Sequence, residues 1–364
     1  TMTITSNTVD SGSSTNTGAV VLIYTSNEAT NNFATGDITV TECVHSDFTT
    51  TSTTVYGSTC TEATNAVTPT VKVNAGTFTD ATSNDNSVSN TYTWTYDTAD
   101  PTMVISSTGA LTADGGTSNV AAFALTFTSS EATANFIVTD ITATGGDGCT
   151  LGSFQQGGSA AIYTATCTPD DSGDTVAVTV AADKYTDTAG NNNVVSNTFD
   201  WTWDGTGPTM TITSATVDSG SSTNTGAVVL IYTSNEVTTD FELADITVTE
   251  CVNAGFTTAG NSLVYGSTCT EDSNGVSPTV LVAVNKFTDA YGNNNQASNT
   301  YTWTYDTAQP TMTITSTAGT ADGGTSGVEA FALTFTSNEA TANFAVADIT
   351  ATGGDGCTLA SFEA

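Results

Sequence analysis

The tripeptide Pro-Thr-Met occurs at Pro101, Pro208 and Pro310, each time after an aromatic stretch and an Asp, so the chain is one design written several times. First residues at Thr1, Thr102, Thr209 and Thr311 divide it into 1–101, 102–208, 209–310 and a shorter 311–364. Units of that length bury a core of their own, whereas a solenoid repeat relies on its neighbours. Two types alternate. Asp10–Glu28, DSGSSTNTGAVVLIYTSNE, recurs letter for letter at Asp218–Glu236, and Asp140–Leu151, DITATGGDGCTL, recurs at Asp348–Leu359. The order is A, B, A, B, with the fourth unit carrying half its pattern. Thr1 falls where a preceding Pro is expected, which suggests an internal piece of a longer secreted chain.

Three Lys and one His stand against 37 acidic residues, and a formal charge of -34 repels nucleic-acid phosphate and anionic membranes. Cations are the expected partners. At 38% hydrophobic content, arranged in alternating strands, the chain is expected to pack rather than remain disordered. Thr and Ser make up about a third of it, and Thr suits a half-buried strand. No apolar run is long enough to span a bilayer.

Cysteines fall at Cys43 and Cys60, Cys149 and Cys167, and Cys251 and Cys269, one pair at the same place in each complete unit; Cys357 matches a first member. None is a C-x-x-C, and His45 alone completes no zinc site. Disulfides within units are expected, and with them an oxidising exterior. Closing a loop of this size contributes about 3 kcal/mol in the chain-entropy model.

Within the first unit the alternation predicts strands at 2–6, 19–26, 38–43, 53–60, 70–78 and 89–97. Six or seven short strands punctuated by Gly, Asn and Ser specify an all-β sandwich. In SNTYTWTYD, Tyr92, Trp94 and Tyr96 share one face. Such a row stacks on sugars or forms the core side of the strand; the core is the reading preferred, because few other aromatics compete for it.

The units resemble the bacterial-type immunoglobulin-like repeats of large surface proteins and adhesins. The resemblance rests on Asn27-Glu28, Asp37-Ile38-Thr39, Thr79-Asp80 and Asp97-Thr98-Ala99-Asp100-Pro101, matched in the second unit by Glu131, Asp140, Asp187-Thr188-Ala189-Gly190-Asn191 and Asp204 to Pro208. Two features depart from the pattern: Ala81-Thr82-Ser83-Asn84 replaces the Gly-Asn turn, and paired cysteines are unusual there. The resemblance implies tandem immunoglobulin-like sandwiches in a linear rod.

In that topology, Glu131, Asp140 and Asp187 are expected beside Asp97 and Asp100 of the incoming linker. Converging hard oxygens are what Ca²⁺ takes. The same construction pairs Asp204 with Glu236, Asp245 and Asp289, and Asp306 with Glu339 and Asp348. The competing reading is a set of solvated, turn-forming carboxylates. No G-x-S-x-G, Walker loop or H-E-x-x-H is present, so catalysis is not expected. No N-x-S/T acceptor occurs; dense Thr leaves O-linked sugars open and raises a weaker ice-binding reading. Two functions remain: a structural shaft of a fibre, appendage or stalk, with neighbouring copies as partners, and an adhesin module binding glycans or a protein through its loops. Repetition favours the shaft. The fragment 311–364 is expected to leave a core face in water unless further strands cover it, from the chain's continuation or from a neighbouring chain.

Overall fold

The computed structural model describes all residues except Ala110, Asp147, Asn261, 317–321, 354–356 and Ala364. The chain forms two compact units, residues 1–207 with 291–293, and residues 208–290 with 294–364.

In the first repeat, β1 (Met2–Ser6), β2 (Ser14–Thr15), β3 (Ala19–Ser26), β4 (Ile38–Thr41), β5 (Val44–Thr50), β6 (Val55–Thr61), β7 (Thr70–Val73), β8 (Tyr92–Thr93) and β9 (Thr95–Tyr96) follow one another. One sheet has the order β1-β3-β6-β5; facing it are β4-β7-β8 and a parallel β2-β9 pair. The second repeat repeats the plan with β10 (Met103–Ser107), β11 (Gly116–Ser118), β12 (Phe123–Ser129), β13 (Ile141–Thr144), β14 (Cys149–Gln156), β15 (Ile162–Pro169), β16 (Thr175–Val180) and β17 (Phe199–Trp203), in sheets β10-β12-β15-β14 and β11-β17-β16-β13. In the second unit, Met210–Ser214, Ala227–Ser234, Val264–Thr270 and Val252–Thr258 build the same four-stranded sheet.

The alternation of AVVLIYTS sends Val20, Leu22 and Tyr24 into the core and Val21 and Thr25 outward, because side chains of a strand point to opposite faces in turn. Trp94, at 1% exposure, and Tyr92 lie in the same core, as do Phe199 and Trp201 in the second repeat. The aromatic row is therefore core for its first two members, while Tyr96, Trp203 and Tyr305 are half-buried. Burying one such ring contributes roughly 1.5–3 kcal/mol. The last strand is broken at Trp94 into β8 and β9, where one continuous strand is expected. Thr70–Val73 likewise ends early, and Phe78 reaches the core from a loop.

Disulfides join Cys43–Cys60, Cys149–Cys167 and Cys251–Cys269, with Cα atoms 5.5–5.6 Å apart; Cys357 is free and exposed. The open edge of β1 is closed by a side chain: Ile4 donates its N–H to Asn90 Oδ1 (2.7 Å) and accepts from Asn90 Nδ2 (2.9 Å). Asn197 clasps Ile105, and Asn299 clasps Ile212, in the same way. An amide that both donates and accepts stands in for a neighbouring strand and blunts the edge.

The two repeat types differ in one buried contact. Trp94 Nε1 donates to Glu62 Oε1 at 2.5 Å, and burial pushes the Glu62 carboxyl up from its ordinary value. In the second repeat Pro169 takes that strand position, and Trp201 Nε1 is buried without a hydrogen bond. In the fourth repeat Met312–Ser316 pairs with Leu333–Ser337. Met312, Ile314, Phe331 and Leu333 there are 36–58% exposed, whereas Met103, Ile105, Phe123 and Leu125 at matching positions are 0–7% exposed.

Candidate metal centre at a repeat junction

The linker out of β9 is held first by the repeat it leaves. Asp97 donates its N–H to Thr15 O (3.0 Å), and Thr98 donates to Asn65 Oδ1 (2.6 Å). Asp97 Oδ1 accepts from the Ala99 N–H (3.0 Å), an Asx-type turn that starts the exit bend.

The second repeat meets this linker with the loop Thr186–Asn191. Asp187 Oδ1 accepts backbone N–H groups from Ala189 (2.8 Å), Gly190 (2.6 Å) and Asn191 (2.9 Å), and its Oδ2 accepts from Asn191 Nδ2 (2.8 Å). Gly190 turns the loop at φ +97°, a region that side chains disfavour. Asn191 Nδ2 also donates to Asp97 O (2.9 Å), Val194 N–H donates to Pro101 O (3.1 Å), and Asn16 N–H donates to Ala189 O (3.0 Å). Both repeats thus grip five residues of chain.

Glu131, just after β12, completes a trio. Asp97, Glu131 and Asp187 each offer a carboxylate oxygen, and these oxygens lie within 4.8 Å of one another. Asp187 is 2% exposed and the other two are half-buried. Burial pushes the Glu131 carboxyl above its ordinary value, helped by the charges of Asp97 and Asp187, a hydrogen bond shared with Asp97, and the charge of Asp100. The repulsion among these carboxylates thus adds to burial in raising Glu131.

The donor set fits a hard cation. Asp187 Oδ1 is saturated by three N–H groups, but Oδ2 keeps a lone pair beyond Asn191. All donors are oxygens, which suits Ca²⁺ and disfavours zinc.

Asp140 is not part of this trio. Its Oδ2 accepts the Ile137 N–H at 2.9 Å and caps the 3-10 turn Val138–Asp140. Asp245 caps Glu242 and Asp348 caps Ala345 identically, each at 2.9 Å, as Asp37 caps Ala34 at 2.8 Å. These aspartates serve as local caps because a short carboxylate reaches an N–H three residues back with little loss of entropy. Asp100 is exposed and acts on Glu131 through its charge. Asp204, in the first unit, accepts from the Thr206 N–H (3.2 Å); Glu236 and Asp289 lie in the second unit, Asp289 being 3% exposed. Asp306 Oδ1 accepts from Ala308 (2.9 Å), and Glu339 Oε1 is buried without a hydrogen bond. Asn65 and Asn191 also bind the linker, a role that neither shows in the sequence.

Residues 97–202 and 204–305 each match the family described as bacterial Ig-like domain, and both matches open on a linker aspartate. They span more than half of the sequence, and the chain belongs to this family. Such domains are non-catalytic structural or binding modules, and the chain is a cell-surface or extracellular protein. Among solved structures it is similar to the Escherichia coli adhesin FdeC, at 15% identity over 82% of this chain and 96% of that one, with a TM-score of 0.40. It is also similar to InvD of Yersinia pseudotuberculosis, at 14% identity over 83% and 97%, with a TM-score of 0.38. No curated protein sequence matches.

Proposed function

We propose that the chain is a spacer: Ig-like repeats, divided at 101, 208 and 310, that form the shaft of an extracellular fibre, appendage or stalk and have neighbouring copies as partners. One observation carries this reading. The linker at 97–101 is hydrogen-bonded to the repeat before it and the repeat after it, through Thr15, Asn65, Asn191 and Val194, so bending there breaks bonds on one side or the other. In this reading Asp97, Glu131 and Asp187 hold Ca²⁺, with Asp100 at the rim. The ion would neutralise their mutual repulsion and cross-link linker to loop.

The test is thermal melting and small-angle scattering of the whole chain in Ca²⁺ and in chelator. A lower melting temperature and a shorter, broader distance distribution in chelator are expected, with Glu131→Ala and Asp187→Ala behaving like chelator. Identical curves in both buffers would remove calcium from the account.

A further inference from the structure

The outward side of the four-stranded sheet is as regular as the core side. In the first repeat it presents registered rows such as Thr3–Thr25–Val55 and Val21–Thr59–Ser46. No Asp, Glu or Lys takes an outward ladder position of that sheet, and Asp47 sits only in the bulge between Ser46 and Thr49. The corresponding sheets of the second and third repeats carry no charged outward position either, and in the third the bulge holds Gly255 in place of Asp47. Charged residues are 11% of the sequence and normally concentrate at the surface. Three neutral faces in a chain of net charge -34 are therefore a segregation: on this side of each sandwich the carboxylates are kept to the loops and the bulge.

These faces also expose apolar groups. Val21 and Val44 are 50% and 64% exposed, and Val229 and Val252, at the matching places, are 49% and 65% exposed. Around them lie threonine methyls and hydroxyls, with Gly57 and Gly266 flush in the sheet.

We propose that this four-stranded face is the surface on which a second copy of the chain packs, flank to flank. Charge selects that occupant. The loops and linkers of a copy bring carboxylates against carboxylates, and the opposite sheet turns Lys72 outward in the first repeat and Asp200 in the second, whereas two neutral four-stranded faces meet without repulsion or buried charge. Small β-branched side chains let two sheets approach to about 10 Å. The bulged outer strand β5 disfavours pairing edge to edge, which leaves the face as the route of approach.

Area sets the stoichiometry. Four strands about 4.8 Å apart, with some six residues of about 3.3 Å each, give roughly 400 Å² per repeat. A stable interface needs about 800 Å² per partner. One face is too small, and a chain of repeats engaging two or more together is large enough. The proposal deepens the shaft reading by naming its lateral contact, and a shaft that stays single would leave that reading standing.

The experiment is sedimentation velocity of the whole chain at low salt and at about 1 M NaCl, where loop repulsion is screened. Wild type is expected to be monomeric at low salt and to form dimers or larger bundles at high salt, associating at least tenfold more tightly. Val21→Glu with Val229→Glu should hold it monomeric at both salts, whereas Thr64→Glu with Ser273→Glu, the same added charge on exposed loops, should behave as wild type. Melting curves verify that all three are equally folded. A chain monomeric at every salt overturns the proposal, including one retained instead on an insoluble polysaccharide. So does association that survives the face substitutions, as contact through exposed Ile314 and Phe331 would.

Discussion

The loops Thr79–Asn84 and Thr186–Asn191 descend from one pattern and end in different states. Asp80 accepts from the Thr82 N–H (2.8 Å), the Asn84 N–H (2.9 Å) and Asn84 Nδ2 (2.9 Å), almost as Asp187 does in its loop. Asp80 and Asn84 nevertheless remain in contact with solvent, while Asp187 and Asn191 are 2% and 7% exposed. The difference is what arrives from outside: Asp97 and Glu131 crowd the second loop, and Asn191 reaches across to Asp97 O. The first loop meets no linker among the described residues of 1–364, whereas the second forms half of a junction. Local hydrogen bonds build the loop; the linker buries it.

The largest expected effect is from Asp187→Ala, which leaves several buried N–H groups without an acceptor and should cost the second repeat about 3 kcal/mol or more. Asp80→Ala should cost the first repeat far less, because water replaces the carboxylate. Chemical denaturation read by hydrogen exchange in each repeat compares them, and equal losses would break the comparison. Next, Asn191→Ala should cost about 1–2 kcal/mol and speed exchange of the Val194 amide, with Asn84→Ala smaller.

The two loops should also respond oppositely to pH in chelator. The Glu131 carboxyl is raised, chiefly by burial, so its contribution is complete below the ordinary glutamate value and is lost as pH rises through the raised one. Hydrogen bonds from Asn84 and Thr82 hold the Asp80 carboxyl well below its ordinary value, so its contribution is present above that ordinary value and is lost as pH falls through the lowered one. NMR of the Asn191 and Asn84 side-chain amides across the acidic range follows both, and Ca²⁺ should abolish the loosening of the junction alone. The smallest effect is Ser83→Gly. Ser83 sits at φ +70° where Gly190 sits at +97°, so glycine should stabilise the first repeat by about 0.5–1 kcal/mol; a destabilised variant would show that the serine is not strained.

Much of the fold was legible because it is written in local periodicity. AVVLIYTS alternates cleanly, and each cysteine pair recurs at one place in its unit. Val44–Thr50 was missed as a strand because His45, Ser46 and Asp47 interrupt the apolar pattern, and its bulge places Asp47 at φ +56°. Of the junction, Asp97, Glu131 and Asp187 were readable from repeated acidic positions and loop topology. Asp140 was assigned to the junction although a three-residue cap already satisfies it, a contest between local and distant partners that spacing alone does not decide. Asn191 stands in the turn motif, but an asparagine there gives no sign of a partner 94 residues away.

In the proposed shaft a cation, beyond loop geometry, completes the first junction. Hydrogen exchange of the backbone amides of Asn191 and Val194, measured on the whole chain in Ca²⁺ and in chelator, addresses it most directly, with Glu131→Gln alongside. The account predicts that Ca²⁺ slows both amides by tenfold or more in wild type, leaves Asn84 unchanged, and has no effect on either junction amide in the variant. Equal exchange of Asn191 and Val194 with and without Ca²⁺ in wild type would contradict it.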